Sequence, residues 1–242
     1  MHIKNVFKKG FSLAEVLVAL TVIGVVAAIT VPIIHKSADD EITVTKVKKF
    51  HSTMANAIRR ASADNGPIRS WSKYNHSGGW NETSAETFWL YLKPYINYMN
   101  DNCGSGQCYH PVSMKLLNGG PWPASYGTDI RYKKVVLSDG SVMWFRTHNN
   151  DSGEMCPSDG GYPHVCAVFW YDVNGDKAPN TLGKDIFVFY LKQDNYTPNE
   201  GGMSQEILTM RAHKNPNQCK GGEGWNCAAY ILEHGNMDYL DD

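Results

Sequence analysis

Residues 8–34 read KKGFSLAEVLVALTVIGVVAAITVPII, and the organisation of the chain follows from this stretch. From Val16 to Ile34 there is no charged residue; only Thr21, Gly24, Thr30 and Pro32 interrupt the apolar side chains. Nineteen residues of α-helix rise about 28 Å, close to the hydrocarbon thickness of a bilayer. The first ten residues carry Lys4, Lys8 and Lys9 and no acid, which puts the N-terminus on the cytoplasmic side and the polar bulk outside. A cleaved secretory signal has a shorter apolar core and a small-residue cleavage site. Here the run is long, and VPIIHKSADD follows with no A-x-A site.

Glu15 is the one acid inside the apolar run. A carboxylate in a spanning helix costs roughly 2.5–3.5 kcal/mol on insertion scales, so such a residue needs a partner. A plain membrane anchor accounts for the length of the segment but not for this acid. Ser12-Leu13-Ala14-Glu15 fits a capping box, which would give Glu15 a purely local role.

Lys8-Lys9-Gly10 followed by Phe11-Ser12-Leu13-Ala14-Glu15 resembles the N-terminal signal of the type IV filament superfamily, the type IV pilins and the pseudopilins of type II secretion. That signal is a short basic leader ending in Gly, then Phe, with Glu four residues on, opening an apolar helix. Pro32 also stands where many pilins have a helix-loosening proline. The resemblance implies cleavage between Gly10 and Phe11 by a membrane-bound prepilin peptidase, and N-methylation of Phe11 by the same enzyme. It implies that Glu15 neutralises the Phe11 amine of a neighbouring subunit as helices pack in a filament, which suits a charge that hydrocarbon tolerates only when paired. The implied partners are copies of this chain or other pilins in a helical filament, the peptidase, and an assembly platform protein with its ATPase. The implied location is the bacterial inner membrane, then an extracellular filament or a periplasmic pseudopilus. Loss of residues 1–10 removes three of 23 basic residues, leaving 20 against 24 acidic ones, a net charge of −4 in place of −1.

Past the apolar segment, residues 35–65 continue as an amphipathic helix. Ile42, Val47, Phe50, Met54, Ile58 and Ala61 recur near a helical period, and Asn65-Gly66-Pro67 ends it. Gly24 and Pro32 are expected soft points. Residues 66–242 then form an outward-facing head. Thr83-Ser84-Ala85-Glu86 starts a second helix with Phe88, Leu92, Tyr95, Ile96 and Met99 on one side, although Pro94 interrupts it. The aromatics around Trp71 and Trp80 are read as core, with a carbohydrate-binding surface as the alternative. Arg131 to Leu137 and Ser141 to Thr147 flank the turn Ser138-Asp139-Gly140, and Val165 to Tyr171 and Asp185 to Lys192 flank a longer loop. The expected fold is α+β: the long helix laid on one face of a four-stranded antiparallel sheet, which is also the pilin architecture. A short helix or strand is expected around Cys227 to Glu233.

The head holds Cys103, Cys108, Cys156, Cys166, Cys219 and Cys227. Six cysteines allow fifteen pairings; their clustering favours 103–108, 156–166 and 219–227, each ring worth about 2 kcal/mol. An outward-facing domain suits disulfides. No C-x2-C pair exists, and His110 and His164 lack zinc-ligand spacing. Asp172, Asn174 and Asp176 alternate as the first ligands of a calcium loop do, with Asp185 placed to close the set. Gly175 and Gly183 depart from the EF-hand pattern, and the same residues are sound turn chemistry without a metal.

A mean hydropathy of −0.39 excludes a polytopic membrane protein. The near-neutral charge argues against a nucleic-acid binder that works by bulk positive charge. Walker, G-x-S-x-G, H-E-x-x-H and dinucleotide signatures are missing; the resemblance implies a structural subunit and not an enzyme. The alternatives are a minor tip pilin whose head binds a surface, DNA or cargo, and a membrane-anchored enzyme using the signal only for insertion. Gly10→Ala is expected to leave an uncleaved, longer product; a chain beginning at Phe11 in that variant, found by mass spectrometry, would refute the junction.

Overall fold

The structure, a computed structural model, describes residues 12–68, 71, 82–103, 108, 114–122, 132–148, 155–156, 164–175, 177–194, 207–212 and 219–241. The expected cleavage-site residues Gly10 and Phe11, the loop residue Trp80 and the candidate ligand Asp176 lie outside them. The chain divides into two compact units, Met1–Ile42 and Thr43–Asp242.

Helix α1 runs Leu13–Asn65 and stays helical through both Gly24 and Pro32. In the first unit its segment Leu13–Val31 is long and apolar enough to cross a membrane, and none of that segment is buried. At the other end, Gly66 takes a left-handed φ of 80° directly after Asn65 and stops the helix as expected.

In the second unit α1 buries Val44, Val47, Phe50, Met54, Ile58 and Ala61. Steps of three and four keep these on one stripe. Ile42 does not share it and is 54% exposed, because five residues before Val47 is well off that face. Helix α2, Glu82–Leu92, packs on β2 and β3 and shares the same core. The chain then tightens into a 3₁₀ turn at Lys93–Tyr95, since Pro94 has no N–H to continue an α-helix. Met99, expected on the second helix, is instead on a strand and exposed. Trp71 is buried and stacks on Tyr91 at 5.0 Å, which makes it core.

Six antiparallel strands follow one another in chain order: β1 (Tyr98–Asn100), β2 (Lys133–Leu137), β3 (Val142–Thr147), β4 (Val165–Asp172), β5 (Ile186–Asp194) and β6 (Ile207–Ala212). The four expected strands are the central β2–β5, and β1 and β6 extend the sheet at its two edges. The turn between β2 and β3 is Ser138-Asp139-Gly140, with Gly140 at φ 80°. Helix α3, Cys227–His234, adds Cys227, Ala228 and Ile231 to the core. Gly224 lets the chain pass β5's approach: a Cβ there would meet the Leu182 carbonyl oxygen at 2.3 Å.

Side chains alternate between two faces of this sheet, and both are covered. Met143, Phe145, Phe169, Tyr171 and Phe189 face α1 and α2, with the Phe50 ring stacked on Tyr171 at 4.1 Å. Trp144, Val168, Trp170 and Val188 form a second core with Met114, Trp122 and Leu182. Every residue of β4 is buried. The expected single helical layer is therefore one of two.

The cysteines pair as Cys103–Cys108, Cys156–Cys166 and Cys219–Cys227. His148 sits against the second pair: its N–H donates to the Cys166 carbonyl at 2.8 Å, and the Cys156 N–H donates to the His148 carbonyl at 3.2 Å. Burial, helped by the Arg146 charge, pushes the His148 pKa from 6.5 down to about 3. The unfolded chain therefore takes up a proton near pH 6.5 that the folded chain refuses until about pH 3. Stability falls as pH drops through that window and levels off below it. His148→Gln is expected to remove about 5 kcal/mol of this acid loss, measured as urea midpoint against pH on the full chain in detergent. Equal acid slopes in variant and wild type would contradict it.

Candidate assembly site

Ser12 stands immediately before α1 and makes a reciprocal cap with Glu15. Its N–H and its hydroxyl both donate to Glu15 Oε2 at 2.8 Å, and the Glu15 N–H donates to Ser12 Oγ at 3.3 Å. The Val16 N–H closes the first turn on the Ser12 carbonyl at 3.2 Å. The cap holds the carboxylate over the helix N-terminus, where the backbone dipole favours negative charge. It uses only one of the two carboxylate oxygens. Among the described residues Oε1 accepts no hydrogen bond, and Glu15 is exposed. The local role and an external partner are thus compatible: Oε2 holds the helix start, and Oε1 keeps capacity for a donor.

The helix that follows has made itself fit for an apolar medium. The hydroxyls of Thr21 and Thr30 donate back to the Leu17 and Val26 carbonyls at 2.8 and 2.9 Å, so neither presents an unsatisfied donor. Eleven large apolar side chains between Leu13 and Val31 are 44–80% exposed. Covering them is worth on the order of 10–20 kcal/mol at 1.5–3 kcal/mol for a fully buried side chain. That exceeds the roughly 2.5–3.5 kcal/mol cost of inserting Glu15, so the segment partitions out of water with its acid included.

The second candidate is the β4–β5 loop. The structure brings Asp172, Asn174 and Asp185 together there. The Asn174 N–H donates to Asp172 Oδ1 at 3.1 Å, and its side-chain amide donates to Asp185 Oδ2 at 3.3 Å. Asp185 also accepts the N–H groups of Asn180 at 2.8 Å and Thr181 at 2.6 Å. Burial raises its pKa, and the N–H donors of Thr181, Asn180 and Asn174 offset that only in part. Asp185 thus works as the anchor of the loop backbone. Other oxygens lack a donor: Asn174 Oδ1 and Asn180 Oδ1 are buried and have no hydrogen-bond partner among the described residues. Asn180, at φ 49°, was not among the expected ligands; it reads in the sequence only as a turn residue after Pro179. Among the described residues no three His, Cys, Asp or Glu side chains cluster closely enough to hold a metal. Zinc is excluded at the cysteines by the three disulfides.

Residues 7–31 match the prokaryotic N-terminal methylation motif, which spans the end of the basic leader, Glu15 and most of the apolar helix. Residues 33–209 match a family of unknown function, DUF6613. No curated protein and no solved structure matches the chain.

Proposed function

The chain belongs to the DUF6613 family of unknown function and carries a pilin-type N-terminal methylation motif, and from these two premises we propose that it is a structural subunit of a type IV pilus or a type II secretion pseudopilus. In this reading a prepilin peptidase cuts after Gly10 and methylates the Phe11 amine. The inner membrane stores the product, N-terminus cytoplasmic and head outside, until a platform protein and its ATPase draw it into a filament. Its activity is assembly and not catalysis. The observation that carries the reading is the exposed apolar helix opened by Glu15, whose Oε1 has no partner in its own chain among the described residues. In a filament the Phe11 ammonium of a neighbour supplies that partner, and a desolvated charge becomes a desolvated pair.

Glu15→Ala is expected to be cleaved and to stay in the membrane, but to fall at least tenfold in the sheared filament fraction relative to wild type. Incorporation at the wild-type level would remove Glu15 from the assembly chemistry. Absence of the wild-type chain from any filament would overturn the reading itself.

A second reading concerns the β4–β5 loop, where Asn174 Oδ1 and Asn180 Oδ1 are buried acceptors without donors among the described residues. An all-oxygen set suits a hard cation, and calcium is the one that takes amide and carboxylate oxygens with loose geometry. Asn174, Asn180 and Asp172 would hold it, with Asp176 as a further ligand and Asp185 fixing the loop. Saturating calcium, against a chelator, is expected to raise the Tm of the full chain in detergent by about 5 °C or more, and Asn174→Ala to abolish the rise. An unchanged Tm refutes the site.

A further inference from the structure

Beyond its apolar segment, helix α1 sorts its charges by sign. Residues 46–60 read KVKKFHSTMANAIRR, with five cations and no acid. Just before them stand Asp39, Asp40 and Glu41. The buried stripe of the helix turns Lys48, Lys49, Arg59 and Arg60 outward, and all four are exposed.

These cations find little use within their own head. Arg59 donates only to its own helix, at the Ala55 carbonyl and the Asn56 amide oxygen. Arg60 lies over the Tyr95 ring, 5.2 Å from its centre. Lys49 approaches Asp139 at 3.9 Å, with 68% of its side chain exposed. Among the described residues, no carboxylate lies within ion-pair distance of Lys48, Arg59 or Arg60, and no cation within that distance of Asp39 or Glu41. Asp39 and Glu41 are exposed as well. A face that only meets water has no need to separate its signs into blocks; a face that meets a complementary surface does.

We propose that the Lys48–Arg60 stripe is a docking surface for a second copy of this chain, which presents Asp39 and Glu41 of its own α1. This rests on the filament reading and adds to it the charge contact that sets the register between neighbouring subunits. The two patches are different, so the contact is heterologous: each copy gives cations to one neighbour and carboxylates to another. Such a contact leaves both ends open and propagates into a filament instead of closing as a symmetric dimer. A polyanion would use the cations alone and would be repelled by the acids that adjoin them in sequence. Charge pairs at an interface govern partner choice and register more than raw affinity, which is the property a growing filament requires.

The test uses the full chain in a host with its own assembly machinery, reading filament-incorporated protein against the membrane pool. Lys48→Glu with Arg59→Glu, and separately Asp39→Lys with Glu41→Lys, are each expected to lower incorporation about tenfold. All four together are expected to restore it to within about threefold of wild type. Wild-type incorporation by either reversed pair, or a fourfold variant no better than the pairs, overturns the contact while leaving the filament reading intact. A cation reversal that also abolishes retention on DNA or anionic vesicles, without rescue by the acid reversal, overturns it in favour of a polyanion. Absence of the wild-type chain from filaments removes both readings. Should a reversed variant fail to accumulate, co-expression of a Glu41→Cys chain with a Lys48→Cys chain decides: a mixed disulfide-linked dimer supports the contact, and its absence overturns it.

Discussion

Water is the wrong solvent for residues 13–31, and nothing in the structure hides them from it. The free energy at stake, on the order of 10–20 kcal/mol, is comparable to the whole folding stability of a typical domain. The segment therefore needs hydrocarbon or other copies of itself. That requirement gives Glu15 its meaning. In a lone helix its carboxylate is an expense that the Ser12 cap only partly relieves. In the packed bundle of such helices that we propose, it would be the specific element among otherwise interchangeable apolar contacts, because only a correctly placed cation would neutralise it.

The head answers a different problem: how a Gly-rich and Asn-rich chain holds a defined shape. Its centre is a sheet buried on both faces. Phe50 on Tyr171 joins the second half of α1 to one face, and Trp144 on Trp170 stacks within the other core. Three disulfides then add covalent ties, and four of their six cysteines lie in the core. Cys219–Cys227 fixes the start of α3, and Cys156–Cys166 fixes the edge of β4 beside His148. The Tyr239 hydroxyl donates to the Gly183 carbonyl at 2.6 Å and ties the C-terminal turn to the loop leading into β5. Because α1 belongs to this core from Val44 onward, its outward side is set by the packing of the other, and the basic stripe is held rigidly in one direction.

The features legible in the sequence were those encoded by local pattern. A basic-Gly-Phe junction, one acid and nineteen uncharged residues lie within thirty positions, so no tertiary knowledge was needed. The Ser138-Asp139-Gly140 turn and the clustered cysteines are equally local. What escaped depended on distant contacts. Met99 fits a helical period, but Pro94 ends the helix and pairing with β2 makes the next residues a strand. Strand β6 pairs with β5 although it starts 13 residues after β5 ends, and its own six residues carry too short a pattern to stand out. The second core did have a signal: Val165 to Tyr171 is apolar without alternation, the mark of a strand covered on both sides. In the β4–β5 loop, the spacing of Asp172, Asn174 and Asp185 pointed to one place. Their roles were not readable, because the positive φ of Asn180 and the donors gathered on Asp185 arise only once the loop closes.

The central claim is that this chain leaves the membrane as part of a filament with a processed N-terminus. The direct measurement is the N-terminal peptide mass from filaments sheared or purified from cells that express the chain natively. The account expects a peptide beginning at N-methylated Phe11, from a 232-residue chain, enriched in the filament fraction. A chain found only in membranes or in soluble fractions, or one that keeps residues 1–10 within filaments, would contradict it.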